Sequence, residues 1–191
     1  MRLHYFAVSL LCLAAAVLTP TRAIAEPSIV VSVPEQTLAV VDGGVVRDRY
    51  KISTSKFGLG DNTNSYATPL GSLEVASKIG GNAAPGAVFK SRHLTGEILR
   101  PNAPGRDPIV TRILWLRGLE RGNARAYSRG IYIHGTPEER NIGRPASYGC
   151  IRMRSSDVIQ LYDIVGRGAR VTVVDVPLAD VALIPKPLVF R

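Results

Sequence analysis

Cysteine is almost missing from this 191-residue chain: Cys12 and Cys150 are all it has. Histidine is nearly as scarce, with His4, His93 and His134. A structural zinc site takes four protein ligands, and no cluster of Cys and His supplies them, so neither a metal nor another cofactor is expected. No heptads, internal repeats or low-complexity tracts appear. The longest apolar run, Tyr5 to Leu18, is too short to cross a bilayer comfortably. Acids are also under-represented, 15 against 24 Lys and Arg, for a formal charge of +9.

That apolar run has another use. Arg2 supplies a positive start, Tyr5 to Leu18 an apolar centre, and Ala23-Ile24-Ala25 a small-x-small cleavage site, so residues 1–25 are expected to be a secretory signal peptide. Cys12 follows Leu11, where a bacterial lipoprotein signal would want a small residue, and should leave with the signal. Its removal takes away Arg2 and Arg22 and no acid, lowering the charge from +9 to +7. The remaining 166 residues suffice for one domain with its own core, expected over 26–176, with 177–191 as a tail of unassigned role. Export to the periplasm or medium argues against nucleic acid as the partner. An anionic polymer outside the cytoplasm would suit a basic surface.

In an oxidising compartment thiols are paired or absent. Cys150 alone cannot form an internal disulfide, which flags it as reactive or as an intermolecular bridge. Its surroundings favour reactivity. Ile131-Tyr132-Ile133 runs into His134-Gly135-Thr136, and in Ser147-Tyr148-Gly149-Cys150-Ile151-Arg152 the cysteine stands sixteen residues after the histidine. A thiol becomes a nucleophile once a base takes its proton, and histidine does this near neutral pH. Glycine beside each residue lets backbone approach a substrate and leaves amides free to hold an oxyanion. His93, in Ser91-Arg92-His93-Leu94-Thr95, is expected on a surface or loop.

The rest of the chain supplies scaffold. Ile29 to Val33 predicts a strand stopped by Pro34, and Thr37 to Val41 with Val45 to Ser53 predicts a hairpin around Asp42-Gly43-Gly44. Ser72 to Ser77, Ile109 to Leu116, Gly130 to His134 and Arg170 to Val174 are further strands, with Trp115 read as core. Residues 80–105, rich in Gly, Pro, Ala and Asn, are expected to be irregular and to wall a cleft. The basic stretch 135–147 must be a loop. Ser155-Ser156-Asp157 predicts a helix cap, Val158, Leu161, Tyr162 and Val165 an apolar stripe, and Gly166 its end. Many short strands, glycine turns and one helix make a mainly β domain, a sandwich or open barrel.

His134-Gly135-Thr136 with Ser147-x-Gly149-Cys150-Ile151-Arg152 resembles the active-site signature of the L,D-transpeptidases, the YkuD-like catalytic domain of cell-wall cross-linking enzymes. Ala67-Thr68-Pro69-Leu70-Gly71 resembles the Thr-Pro-x-Gly element of the same family. Three ordered motifs at family-like spacing cover about Ile29 to Val174. The resemblance implies a β-sandwich with a helix beside the active-site strands, Cys150 as nucleophile and His134 as base. It also implies that a backbone carbonyl near Gly135 orients the imidazole. Backbone N–H groups around Tyr148, Gly149 and Cys150 would then be oxyanion donors, supported by Ser147 and Gly135. Arg152 and Thr136 would contact substrate, although a structural salt bridge serves Arg152 equally well. Many relatives carry His where Tyr148 stands. Thr68-Pro69-Leu70-Gly71 reads as architecture.

The activity so implied is peptidoglycan transpeptidation through a thioester. A stem peptide is the donor, and a second stem or an outer-membrane or wall-anchored protein is the acceptor. Carbapenems would be pseudo-substrates. An L,D-carboxypeptidase or amidase on the same scaffold is the alternative, since water can replace the acceptor. A non-catalytic wall-binding module is a third reading, and it requires Cys150 to be dispensable. A sortase also uses Cys, His and Arg, but in a different order and spacing.

Overall fold

The computed structural model describes residues 26–181; the expected signal peptide and residues 182–191 lie outside the described residues. Ten strands form one continuous hydrogen-bonded system with a single α-helix. They are β1 (Ser28–Ser32), β2 (Thr37–Asp42), β3 (Val45–Lys51), β4 (Gly71–Ile79), β5 (Ala87–Lys90), β6 (His93–Ile98), β7 (Ile109–Gly118), β8 (Tyr132–Gly135), β9 (Ile151–Met153) and β10 (Arg170–Val174), with α1 at Ser155–Ile164. The order is β3-β2-β1-β10-β4-β7-β5-β6, while β8 also pairs with β7 and carries β9 on its other edge. The mainly β fold with one helix is the expected one.

Alternation along each strand divides the interior. In β1, Ile29 and Val31 enter the main core with Leu38, Leu73, Leu114, Leu116, Ile133, Ile151 and Met153. Val30 faces the other way, against Ala39, Val41, Leu178 and Val181. Being covered on both faces is why β1 is an unbroken β-branched run rather than an alternating one. The second face is closed by the chain after β10, where Leu178–Asp180 makes one 3-10 turn and the Leu178 amide donates to Glu35 Oε2 at 2.8 Å. The first residues of the segment read as a tail are therefore packed core.

Helix α1 lays Val158, Leu161 and Val165 on the main core, with Tyr162 half-buried beside them. Its ends differ from expectation. Arg154, in extended backbone, is the N-cap and offers no side-chain cap. Ser155 is already helical, its amide taken by Glu139 Oε1 at 2.9 Å and its hydroxyl by Thr111 Oγ1 at 2.8 Å. At the other end Val165 leaves in extended geometry, so Gly166 is not used as a left-handed stop. Tertiary partners replace the local caps.

Residues 80–105 are not irregular: they contain the β5–β6 hairpin. Gly86 shows why turn residues dominate there. Its φ is +80°, and a Cβ would lie 2.1 Å from the Leu99 carbonyl oxygen, so close backbone approach rather than looseness selects glycine. Ala83, Ala87 and Phe89 from this stretch pack with Ile113 and Tyr132 against Cys150. Trp115, read as core, is only half-buried and stacks on Tyr127 with ring centroids 4.0 Å apart.

Leu161 is fully buried where α1 meets the sheet. Leu161→Ala should destabilise the domain by about 2–5 kcal/mol, read as a lower urea midpoint with unchanged m-value.

Candidate active site

The site begins with a parallel pairing. β8 and β9 align Ile133 with Ile151, His134 with Arg152 and Gly135 with Met153. Ile133, Ile151 and Met153 point into the main core, so His134, Arg152 and Cys150 share the opposite face by strand alternation. His134 is buried, and its Nδ1 lies 2.8 Å from the Gly135 carbonyl oxygen. A carbonyl can only accept, so Nδ1 carries the proton and Nε2 keeps its lone pair. That tautomer is the one a general base needs.

Cys150 ends a turn braced from three directions. Ser147, buried, accepts from the Gly149 amide at 3.2 Å and donates to the Cys150 carbonyl at 2.6 Å. Thr68 Oγ1 accepts from the Ser55 amide and donates to the Gly149 carbonyl, both at 3.0 Å. Thr68-Pro69-Leu70-Gly71 thus holds the nucleophile's turn. Gly149 has φ +114°, and a Cβ there would come within 3.2 Å of the Ala67 oxygen and of Ile131. The Gly149 amide, read as an oxyanion donor, is already spent on Ser147. Those of Tyr148 and Cys150 make no hydrogen bond to any described residue.

The thiol is half-buried, among Ala83, Phe89, Ile113 and Tyr132. Its hydrogen bond goes to the Gly130 carbonyl at 3.4 Å, not to His134. Transfer to the imidazole therefore requires the thiol to give up this contact. Catalytic hydrogen bonds commonly tighten only when substrate is present.

Asp107, which no motif marked, organises the other side. Its Oδ1 accepts from Thr136 Oγ1 and its Oδ2 pairs with Arg152 Nη2, both at 2.5 Å. Arg152 also donates through Nη1 to the Ala146 carbonyl at 3.2 Å. Arg152 and Thr136, the two groups expected to meet substrate, are both buried and bound to Asp107. The only sequence signal was an acid just ahead of a strand.

Burial dominates the protonation of the pair. Desolvation pushes Cys150 up to about 11, against the Tyr132 amide and the positive charges of Arg152 and Arg129, which pull it down. Desolvation also pulls His134 down to about 4; the Gly135 carbonyl and Asp107 oppose this, and Arg152 adds to it. At neutral pH the resting site is thus a neutral thiol beside a neutral imidazole. Among the described residues no three His, Cys, Asp or Glu side chains converge as a metal site. His93 is exposed in β6, with Nδ1 2.9 Å from its neighbour Ser91's oxygen, and takes no part.

A groove of about 380 Å³ lies beside the nucleophile's turn, lined by Tyr66, Tyr148, Arg125, Arg129 and Ile131 among others, and by Gly130, whose carbonyl takes the thiol's hydrogen bond. Tyr148 is half exposed and packs with Phe57 and Tyr66, and its hydroxyl accepts from Lys56 Nζ at 3.1 Å. Asp61, also unmarked by any motif, fixes the groove floor: Oδ1 holds Arg129 at 2.7 Å and Oδ2 the Arg125 amide at 2.6 Å.

Two outcomes follow from these protonation states. Iodoacetamide alkylation of Cys150 should be slow at pH 7 and rise about tenfold per pH unit, levelling only near pH 11. For His134 the folded state binds its proton more weakly than the unfolded chain. Its contribution is therefore whole above pH 6.5 and is lost as pH falls toward 4, a loss on the order of 3 kcal/mol. Urea unfolding between pH 7 and pH 4 should show this slope in the wild type and a smaller one in His134→Gln.

Comparison with known proteins identifies the family. Residues 26–173 match the YkuD family, described as the L,D-transpeptidase catalytic domain. YqjB of Bacillus subtilis (strain 168), which bears an L,D-transpeptidase name, is 27% identical over 151 residues, covering 78% of this chain and 72% of its own. YkuD of the same organism is 54% identical over 41 residues, 22% of this chain and 25% of its own. Among solved structures, an L,D-transpeptidase from Mycobacterium smegmatis shares the fold at TM-score 0.51 and 22% identity, covering 78% of this chain and 58% of that one. One from Xylanimonas cellulosilytica does so at TM-score 0.51 and 18% identity, covering 80% and 62%. The chain thus spans less than two thirds of those solved chains. By the family match over most of its length, and by the fold that carries it, this chain belongs to the YkuD family of L,D-transpeptidase catalytic domains.

Proposed function

We propose that this protein is a periplasmic or secreted peptidoglycan L,D-transpeptidase that works through a Cys150 thioester. One observation carries the reading: a half-buried thiol and a base with a free Nε2 lone pair share a face of adjacent parallel strands, with a groove beside the nucleophile's turn. The placement outside the cytoplasm rests on the signal-like residues 1–25.

The steps follow from the atoms present. A donor stem peptide enters the groove with its scissile carbonyl over Cys150. Sγ turns from the Gly130 oxygen and gives its proton to His134 Nε2, and the thiolate attacks the carbonyl carbon. The oxyanion is received by the free amides of Tyr148 and Cys150, a contribution worth about 10²–10³ in rate per donor. Collapse breaks the C–N bond, the His134 proton leaves with the terminal D-amino acid, and the thioester remains. An acceptor amine from a second stem, or from an outer-membrane or wall-anchored protein, then attacks. It gives a proton to His134, which returns it to the departing sulfur.

Incubation with a carbapenem and intact-mass analysis should give one adduct per chain, mapped to Cys150 and lost in Cys150→Ala; an unmodified wild-type thiol sinks the mechanism. With defined muropeptides, cross-linked dimers should form. Cys150→Ala should lower their rate roughly 10⁴-fold or more and His134→Ala about 10²–10⁴-fold. Trimmed tripeptides without dimers would make the protein a carboxypeptidase instead.

A further inference from the structure

Arg152 and Arg129 carry charge close enough to act on the thiol, Arg125 lines the neighbouring groove, and the three are not equivalent. Arg152 is buried and bound to Asp107 and the Ala146 carbonyl. Arg129 lines the groove, but its guanidinium is consumed by Asp61 Oδ1 at 2.7 Å, the Gly60 oxygen at 3.2 Å and the Ala67 oxygen at 2.7 Å. Arg125 also lines the groove and is exposed, and its guanidinium makes no hydrogen bond or ion pair with any described residue. Its backbone is nonetheless fixed, because Asp61 accepts its amide at 2.6 Å. Its backbone is thus anchored while its charge is unpaired on the groove, whose lining includes Tyr148 and Gly130, the residue whose carbonyl bonds the Cys150 thiol.

We propose that Arg125 selects acyl donors by pairing with a free carboxylate on the stem peptide, and that Arg152 does not. The inference rests on the acyl-donor reading above and deepens it: the preferred substrate is a stem with its carboxylates free, not an amidated one. A guanidinium presents two parallel N–H donors that match a carboxylate and form a weaker, single contact with a carboxamide oxygen. Tyr66 and Tyr148 wall the same groove. A volume of about 380 Å³ is in the range of small-ligand sites. No acid among the lining residues opposes an anionic occupant.

The test compares two matched tetrapeptide donors, one with free side-chain and α-carboxylates along the stem and one with these as carboxamides. Binding is measured by calorimetry in a Cys150→Ala background, so that no turnover intervenes. The carboxylate form should bind at least about tenfold more tightly. Arg125→Gln should bring the ratio to within about twofold, Arg125→Lys should keep part of it, and Arg125→Glu should invert it. Added salt should erode the preference only where Arg125 is present. A ratio that survives Arg125→Gln in a protein with an unchanged urea midpoint overturns the proposal, as does the absence of any preference at the outset. Cys150 acylation is scored separately in the wild-type background. Acylation with an Arg125-independent ratio defeats this inference alone. An Arg125-dependent ratio without acylation defeats the acyl-transfer reading alone.

Discussion

The parallel pairing of β8 with β9 is the constraint on which the site depends. Shifting that register by one residue would send Cys150 and Arg152 into the hydrocarbon core and bring Ile151 and Met153 out. The pairing is not cheap to make, because parallel neighbours require a long connection. Here residues 136–150 provide it, and the loop is tied down at several points. Gly143 donates to the Ile52 oxygen at 2.8 Å, and Ala146 and Ser147 both donate to the Thr54 oxygen at 2.9 Å. Ser53 and Arg152 exchange both backbone hydrogen bonds at 2.9 Å. β9 is thus held between β8 and residues 52–55, and only three residues of strand are needed to fix the nucleophile.

Two carboxylates around the site each satisfy two groups at once. Asp107 satisfies Arg152 and Thr136 together, and Asp61 satisfies Arg129 and a backbone amide. Each carboxylate therefore does two jobs in places where an unpaired charge would be costly. Asp107 also sits near His134 without bonding it: the imidazole proton goes to the Gly135 carbonyl. The carboxylate acts on the histidine only through space, and indirectly through the loop it pins.

How much of this was legible in the sequence follows from the kind of force involved. His134 and Cys150 were readable because their chemistry is local: a scarce thiol, flanking glycine, and a β-branched run ending at histidine. The Val158, Leu161, Val165 stripe was readable because burial on one face imposes a period. Asp107 and Asp61 were not, since each acts across sequence separations that leave no pattern. Arg125 is invisible for the same reason, because its significance is that other arginines nearby are already paired. The β5–β6 hairpin was hidden behind turn residues selected by close approach, as at Gly86. The helix ends were misread because Glu139 and Thr111, from elsewhere in the chain, took over what Ser155 and its neighbours offered locally. Gly149 was correctly seen as needed, but its amide had a partner in Ser147 that no spacing rule reveals.

A neutral resting pair is not too inert for an enzyme, as the magnitudes show. With Cys150 near 11 and His134 near 4, moving the proton from sulfur to nitrogen crosses about seven pH units, on the order of 10 kcal/mol for groups acting alone. The two do not act alone once Sγ turns from the Gly130 oxygen to the imidazole. A thiolate and imidazolium about 4 Å apart recover roughly 4 kcal/mol at an effective dielectric of about 20. That leaves roughly 6 kcal/mol, well inside the roughly 13–17 kcal/mol barrier of an enzyme turning over at about 1–10³ per second. Burial therefore does not silence the sulfur. It makes the charge separation conditional on the thiol meeting the imidazole, and leaves the idle thiol protonated and so less open to oxidation.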